Sequence, residues 1–280
     1  GGGEFTRTGN FVHNSTNLTT DDFVFGSDQL DDDGDVNHDA RVFFDKSKGA
    51  FRAGTVNGTQ WNDANLGTSS TAFGLNTLAS GNYSTAFGYN TTATAVYSTT
   101  FGCNTKATGT FSTAFGLATD ASGNYSTAFG TNTLASGQNS TAFGDYTLAT
   151  GAYSTAWGFN TTASGQFSTA SGYKATAPSY GETAIGIYNT TYSLGDAIAY
   201  DPADRIFSIG NGTSSTTTSN ALTILKNGTM NINDEYNMPN TDGTFGQVLT
   251  TNGSDTVTWQ TPSGGGEFTR TGNFVHNSTN

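Results

Sequence analysis

Carboxylates are the most concentrated titratable groups in the sequence, with nine of them between positions 21 and 45. Four of them follow a largely alternating pattern around Gly34, and alternate residues bring their oxygens to one side, as in loops that bind Ca²⁺. No glutamate closes the segment and no flanking helix is indicated, which leaves an acidic, solvated turn as the alternative. The candidate calcium ligands are Asp31, Asp33, Asp35 and Asp39.

Groups suited to catalysis are otherwise sparse and scattered. Residues 67–178 contain only four charges and no histidine, whereas catalysis needs titratable groups held close together. Cys103 has no histidine beside it, and the three histidines of the chain show no metal-ligand spacing. The sequence therefore predicts a protein that is not an enzyme and has no cofactor other than calcium in the acidic segment.

Composition narrows the class of partner. The formal charge is −12, with 10 basic against 22 acidic residues, so the clustered cations that bind nucleic acid or an anionic membrane are missing. No apolar run approaches the roughly 18 residues that a membrane-spanning helix requires. Aromatic residues make up 12% of the chain, more than disordered chains usually contain, and this favours a folded protein.

A 14-residue repeat from residue 67 to about 192 supplies the framework. Its units follow the form G-x-x-S-T-A-F-G-x-N-T-x-A-S, as in GNYSTAFGTNTLAS at 123–136. Positions 3, 5 and 7 are aromatic, Thr and aromatic, while positions 4, 6 and 8 are Ser, Ala and Gly, which is the alternation of a strand. A second short strand is expected near position 11, where Thr is nearly constant, with turns at Asn and Gly. Each unit is therefore predicted to form one coil of a parallel β-solenoid.

Stacked coils would align the aromatic side chains in two ladders on one face of the strand. If the small residues line the lumen, the aromatic face points outward and needs another chain to cover it; in the reverse arrangement, the flat small-residue face can pack against a neighbour. Both arrangements favour chains side by side, and a monomeric solenoid is the alternative. The ladders are Phe73, Phe87, Phe101, Phe115, Phe129, Phe143 and Trp157, and Tyr83, Tyr97, Phe111, Tyr125, Tyr153 and Phe167.

A longer repeat relates the two ends of the sequence. Residues 1–17, GGGEFTRTGNFVHNSTN, recur at 264–280, which is 263 residues further on. An identity of this length predicts a tandem array of 263-residue modules, in which residues 264–280 begin the next copy. We therefore expect the sequence to be part of a longer precursor, with any export signal outside it.

The short unit resembles the head repeat of the YadA-like trimeric autotransporter adhesins, which has the form N-S-V-A-I-G-x-x-S-x-A-x-G. The matching positions are, for example, Ser126, Ala128, Gly130, Thr133 and Ala135, whereas Thr-x-Phe replaces the aliphatic pair. The resemblance implies a left-handed parallel β-roll that assembles as a homotrimer on the outer surface of a bacterium. It covers less than half of the chain, and no segment resembles the outer-membrane anchor of that family.

The flanks predict β-hairpins. Residues 40–54 and 205–232 combine β-rich runs with turn signals, such as Asn-Gly in the second segment. Residues 236–260 resemble the β-rich stalk segment found in fibre proteins. The predicted fold class is all-β, a parallel β-roll flanked by hairpin stalk segments in a trimeric fibre. Its divisions are an N-terminal connector with the acidic loop at 1–66, the β-roll at 67–192, a C-terminal hairpin stalk at 193–263, and the start of the next module at 264–280.

These features favour a structural and adhesive subunit of an extracellular bacterial fibre or surface filament. Such a subunit would associate with itself as a homotrimer and end to end, and would bind a surface or glycan receptor. A second hypothesis is a ligand-binding solenoid, in which the Thr row from Thr77 to Thr161 binds ice or a polysaccharide. A phage-type tail fibre would share the same architecture.

Overall fold

The computed structural model describes residues 5–8, 11–14, 23–26, 31–34, 39–262, 268–271 and 274–277. Within those ranges the regular structure is β, apart from two single turns of 3-10 helix at Thr59–Trp61 and Asp63–Asn65. The predicted all-β class is therefore confirmed. No helix in the described ranges is long and apolar enough to cross a membrane.

Hairpins precede the repeat. The first two strands pair with each other, and the next three form an antiparallel unit that leads into the solenoid. The predicted hairpin at 40–54 is confirmed, because the last two strands of this unit, at Ala40–Asp45 and Ala50–Thr55, pair in antiparallel order. These five strands are β1 Phe5–Thr8, β2 Phe11–Asn14, β3 Phe23–Gly26, β4 Ala40–Asp45 and β5 Ala50–Thr55.

The repeat forms a parallel β-solenoid, as predicted. Each unit contributes a five-residue strand and a two-residue strand, and each strand pairs in register with its equivalents in the adjacent units. The long strands are β6 Thr71–Leu75, β8 Thr85–Tyr89, β10 Thr99–Cys103, β12 Thr113–Leu117, β14 Thr127–Thr131, β16 Thr141–Asp145, β18 Thr155–Phe159, β20 Thr169–Tyr173 and β22 Thr183–Ile187. The short strands are β7 Leu78–Ala79, β9 Thr92–Ala93, β11 Lys106–Ala107, β13 Asp120–Ala121, β15 Leu134–Ala135, β17 Leu148–Ala149, β19 Thr162–Ala163 and β21 Thr176–Ala177.

Small side chains fill the lumen. Ala at positions 6 and 13 is fully buried in coil after coil, for example Ala128 and Ala135. Ser126 at position 4 and Thr133 at position 11 are equally hidden. A coil of this size has no room for rings inside, so the aromatic residues of the long strand point outward. Of the two arrangements that the sequence allowed, the molecule adopts the first.

The corner before each long strand differs from the prediction. Alternation placed position 3 within the strand, but the strand begins at position 5, and Tyr125 at position 3 has a φ of 59°. This left-handed conformation cannot continue a strand; it turns the chain while the Tyr125 amide bonds to Thr110 of the previous coil at 2.8 Å. The position-3 aromatic residues therefore lie at a corner, outside the strand face.

Glycine at position 8 is required by the contact between coils. Gly116 has a φ of +127°, and a Cβ added there would lie 2.0 Å from the carbonyl oxygen of Gly130 in the next coil. No side chain fits a gap of that size between two backbones. This explains why Gly recurs at position 8 in all nine units.

Two side chains close the first edge of the short-strand sheet. Within the stack, carbonyls accept amides from the preceding coil, but Thr77 and Ala79 belong to the first coil. The Trp61 indole N–H donates to the Thr77 carbonyl at 2.9 Å, and Arg52 Nη2 donates to the Ala79 carbonyl at 2.9 Å. Both side chains are fully buried, and burial lowers the pKa of Arg52 to about 10. These side chains supply the hydrogen-bond donors that a preceding coil provides elsewhere in the stack.

The last edge is closed by acceptors, because there the amides lack a following coil. The Thr176 amide donates to Asn189 Oδ1 at 2.9 Å, and the Ser179 amide donates to Glu182 Oε2 at 3.1 Å. Pro178, between them, has no amide hydrogen to satisfy. Sheet edges of this kind are otherwise open to pairing with another chain, so both ends of the short-strand sheet are protected.

The long-strand sheet continues beyond the repeat. β23 pairs in parallel with β22, and β24, β25 and β26 follow in antiparallel order, which gives a sheet of 16 strands that also includes β3 to β6. The predicted Asn-Gly turn at Asn227 joins β24 to β25. These strands and the next hairpin are β23 Arg205–Asn211, β24 Asn220–Leu225, β25 Met230–Ile232, β26 Tyr236–Met238, β27 Val248–Thr251 and β28 Val257–Gln260.

The two copies of the end sequence form the same hairpin. Phe5 pairs with Asn14 at one end, and Phe268 pairs with Asn277 in the same register at the other. The later hairpin consists of β29 Phe268–Thr271 and β30 Phe274–Asn277. The expectation that the copies share a fold is confirmed for these strands.

Candidate interaction surface

The outward side chains at positions 5, 7 and 9 of the long strands form one continuous surface, here called the aromatic face. Its central row holds the ladder from Phe73 to Trp157, whose members are 39–52% exposed. Position 5 adds Thr, and position 9 adds exposed apolar residues such as Tyr89 and Leu117. A soluble monomer seldom exposes so long an apolar surface.

The rings of the central row stack on one another. Phe87 and Phe101 have centroids 4.7 Å apart and planes 2° apart, and the stack from Phe73 to Phe143 keeps spacings of 4.7–5.1 Å. Each ring therefore covers the faces of its neighbours and presents an edge outward. A sugar that stacks flat on an aromatic residue needs a free ring face, so this row is better suited to apolar contact than to glycan stacking.

A second ladder runs along the corner at position 3. Tyr97 and Phe111 stack at 4.7 Å, and every ring of this row has a positive φ. Such a backbone costs roughly 1–2 kcal/mol per residue for side chains other than Gly, Asn or Asp. Asn139 adopts the conformation at lower cost in the one unit that breaks the ladder, between Tyr125 and Tyr153. Aromatic residues are thus present at the corner despite their local cost.

Charge is nearly absent from these surfaces. Asp145 is the single charged residue of the aromatic face, where it occupies position 9, and the partly exposed Cys103 occupies the same row. A partner of this face must therefore be recognised by apolar contact and shape.

The Thr row proposed to bind ice or polysaccharide does not reach the surface. All seven residues from Thr77 to Thr161 at position 11 are at most 1% exposed. They directly precede the short strands and point into the lumen with Ala. The hypothesis that this row binds a ligand is wrong, because the coil geometry hides it.

The acidic segment is docked against the turn before the solenoid. Asp31 Oδ1 accepts the Asp63 amide at 2.9 Å, and Asn62 Oδ1 accepts the Asp32 amide at 2.8 Å. Asp33 and Asp39 are also described, whereas Asp35 lies outside the described residues.

A guanidinium lies near these carboxylates. Burial lowers the pKa of Arg41, while Asp39 and the aspartates at 31–33 act in the opposite direction. In the part of the chain that the structure describes, no three candidate ligands are placed to hold a metal. With Asp35 outside that part, the calcium site stays a prediction.

A buried polar cluster at the end of the solenoid was missed from the sequence. Glu182 occupies position 4, where every earlier unit has Ser, and its Oε2 accepts the Tyr192 hydroxyl at 3.0 Å. Burial raises the pKa of Glu182 to about 6, against hydrogen bonds from Ser179 and Tyr192 and the charge of Arg205. The Arg205 guanidinium stacks on the Tyr192 ring at 4.3 Å and donates to Thr190. The sequence does contain a signal for this cluster, namely a Glu at a repeat position that otherwise holds Ser.

This cluster closes the sheet edge. Glu182 Oε2 accepts the Ser179 amide and the Tyr192 hydroxyl, and Arg205 donates to Thr190, whereas Glu182 Oε1 is buried and makes no hydrogen bond with any described residue. The adjacent pocket, of about 190 Å³, is small and mostly apolar, and its lining residues are Thr176, Pro178, Thr190, Thr191, Tyr192 and Leu194.

Comparison with known proteins identifies the repeat. The model of the YadA head domain repeat matches residues 66–91, 79–105, 93–119, 121–147 and 149–175. The match and the parallel solenoid agree, so this part of the chain carries YadA-like head repeats, as the sequence predicted. No curated protein matches the chain.

Proposed function

We propose that this chain, whose solenoid carries YadA head repeats, is a structural and adhesive segment of an extracellular bacterial surface fibre. The repeats themselves indicate an adhesin-type surface protein. The observation that carries the fibre proposal is the uncovered aromatic face, which extends along the whole stack of coils.

A homotrimer accounts for that face. Three parallel chains around one axis can cover equivalent surfaces on each other, and closed symmetry prevents further growth sideways. The stacked rings would then meet rings of neighbouring chains edge to edge in a dry interface. This arrangement removes apolar area from water at about 25 cal/mol per Å².

End-to-end assembly is the second part of the proposal. The repeated segment at 1–17 and 264–280 supports an array of 263-residue modules. Because side chains close both ends of the short-strand sheet, we expect modules to join through the flanking hairpins. Such a rod would hold its receptor-binding surface away from the cell and would perform no catalysis.

The trimer can be tested by sedimentation equilibrium. The protein should sediment at three times the 29.1 kDa of one chain, and Phe115→Asp should release folded monomers, because a charge in a dry interface has no partner. Asp120→Ala, in the next short strand, is the control and should remain trimeric. A wild-type protein that is monomeric at all concentrations would contradict the proposal.

The proposed calcium ion has a separate test. If Asp31, Asp33, Asp35 and Asp39 hold Ca²⁺, chelation should lower the melting temperature of the module, since uncompensated carboxylates repel each other. Asp31→Asn should lose this sensitivity. A melting temperature unaffected by chelator would exclude the ion.

A further inference from the structure

Lys226 and Asp204 form an isolated buried pair beside the end of the solenoid. Asp204 directly precedes β23 and Lys226 directly follows β24, and the Lys226 amide donates to the Asp204 carbonyl at 2.8 Å. Lys226 Nζ lies 3.7 Å from Asp204 Oδ2, and both side chains are only 1% exposed. The backbone contact therefore holds the two side chains next to each other, away from water.

The amino group is poorly satisfied in this position. Nζ makes no hydrogen bond with any described residue, and 3.7 Å is long for a charged contact. Its other neighbours are the rings of Tyr180 and Tyr200, with centroids at 5.8 and 5.9 Å. A buried ammonium without hydrogen bonds is costly, so its presence here calls for an explanation.

The carboxyl group, in contrast, is held rigidly by backbone donors. The Gly195 amide donates to Oδ1 at 2.7 Å, and the Asp196 amide donates to Oδ2 at 3.0 Å. Amides aimed at a carboxyl oxygen are the arrangement that stabilises the oxyanion of a tetrahedral intermediate. The site thus combines a nucleophile, an acyl carbon and an oxyanion donor in an enclosed space.

We propose that Lys226 and Asp204 condense to an intramolecular amide bond. The ammonium first transfers one proton to Oδ2, and the neutral Nζ attacks Cγ, so that the displaced electron pair resides on Oδ1 beside the Gly195 amide. Nζ then passes a second proton to Oδ2, the Cγ–Oδ2 bond breaks, and water leaves as the carbonyl reforms. One hydrogen remains on Nζ, and the net charge of the protein is unchanged.

The bond would join the chain before β23 to the turn after β24. These strands continue the long-strand sheet, so the cross-link would fasten the hairpin that closes the solenoid. Closing a loop of this kind limits the unfolded chain and resists separation of the strands.

A second ion pair in the same chain provides an internal control. Lys48 Nζ and Asp63 Oδ1 are closer, at 2.9 Å, but the side chains are 25% and 73% exposed. Water and the lack of an enclosing site should keep that pair unbonded. Comparison of the two pairs therefore distinguishes the effect of a short Lys–Asp distance from the effect of burial.

Intact mass spectrometry of the purified full chain tests the proposal. We expect a mass lower than that of the sequence by one water molecule, and a branched peptide containing Lys226 and Asp204 after digestion, while Lys48 and Asp63 remain in linear peptides. Lys226→Arg keeps the charge but should restore the full mass. A wild-type mass equal to that of the sequence, or a cross-link at other residues, would overturn the proposal and leave a buried ion pair.

Discussion

The lumen and the aromatic face are two sides of the same strands, yet their compositions obey different constraints. Lumen positions hold small residues in coil after coil, such as Ala114, Ala128 and Ala142, all fully buried. The aromatic face accepts rings, aliphatic chains, Thr, Cys103 and Asp145. The small volume of the lumen therefore restricts which side chains can point inward. The outward positions tolerate many residue types, so their composition can be selected for contacts with other molecules.

The largest effect is expected from enlarging one lumen residue. Ala128→Leu adds volume at a fully buried position between stacked coils, so the free energy of unfolding should fall by about 3 kcal/mol. The adjacent outward change Phe129→Leu should have little effect on a single chain. Urea unfolding under conditions that separate the chains measures both, and equal losses would mean that the lumen is not the determinant.

Glu182 is the lumen residue that breaks the small-residue rule, and it makes stability depend on pH. Its pKa is raised from 4.5 to about 6, so the contribution is fully present below pH 4.5 and is lost as pH rises through 6. The difference corresponds to about 2 kcal/mol. Urea midpoints at pH 4.5 and 7.5 should show this loss in the wild type and much less of it in Glu182→Gln. The same pH dependence in both proteins would contradict the assignment.

The end of the lumen can be probed at Trp61. Trp61→Phe removes the donor to the Thr77 carbonyl and leaves a buried acceptor without its bond, which should cost about 1–2 kcal/mol. Trp157→Phe, on the aromatic face, changes the same residue type where no such bond exists. Thermal melts of the two variants should differ, and indistinguishable melts would argue against edge closure by Trp61.

The smallest expected effect has the opposite sign. Thr119 Oγ1 is buried and makes no hydrogen bond with any described residue, so Thr119→Val replaces an unsatisfied hydroxyl with a methyl group of similar size. Stability should rise by about 1 kcal/mol. A loss of stability would indicate that the hydroxyl has a partner, such as a buried water.

Much of the fold could be predicted because the repeat aligns equivalent residues. Alternation revealed two faces but not which one was inside; that depends on the cross-section of the coil, which admits Ala128 and excludes Phe129. The corner at Tyr125 was missed because aromatic residues are not typical of left-handed conformations. Arg52 and Glu182 were missed for another reason. Each bonds to a backbone group at the end of the stack, and the sequence alone does not show which backbone groups lack a partner in an adjacent coil.

The contacts that close the two ends of the solenoid do not depend on the number of coils between them. The side chains of Arg52 and Trp61 donate to carbonyls of the first coil, and those of Asn189 and Glu182 accept amides at the last edge. Gain or loss of one whole unit by slippage of the repetitive gene would leave both groups facing the same partners. The length of the rod can therefore change during evolution in steps of about 4.8 Å, one coil at a time, without substitutions at either end.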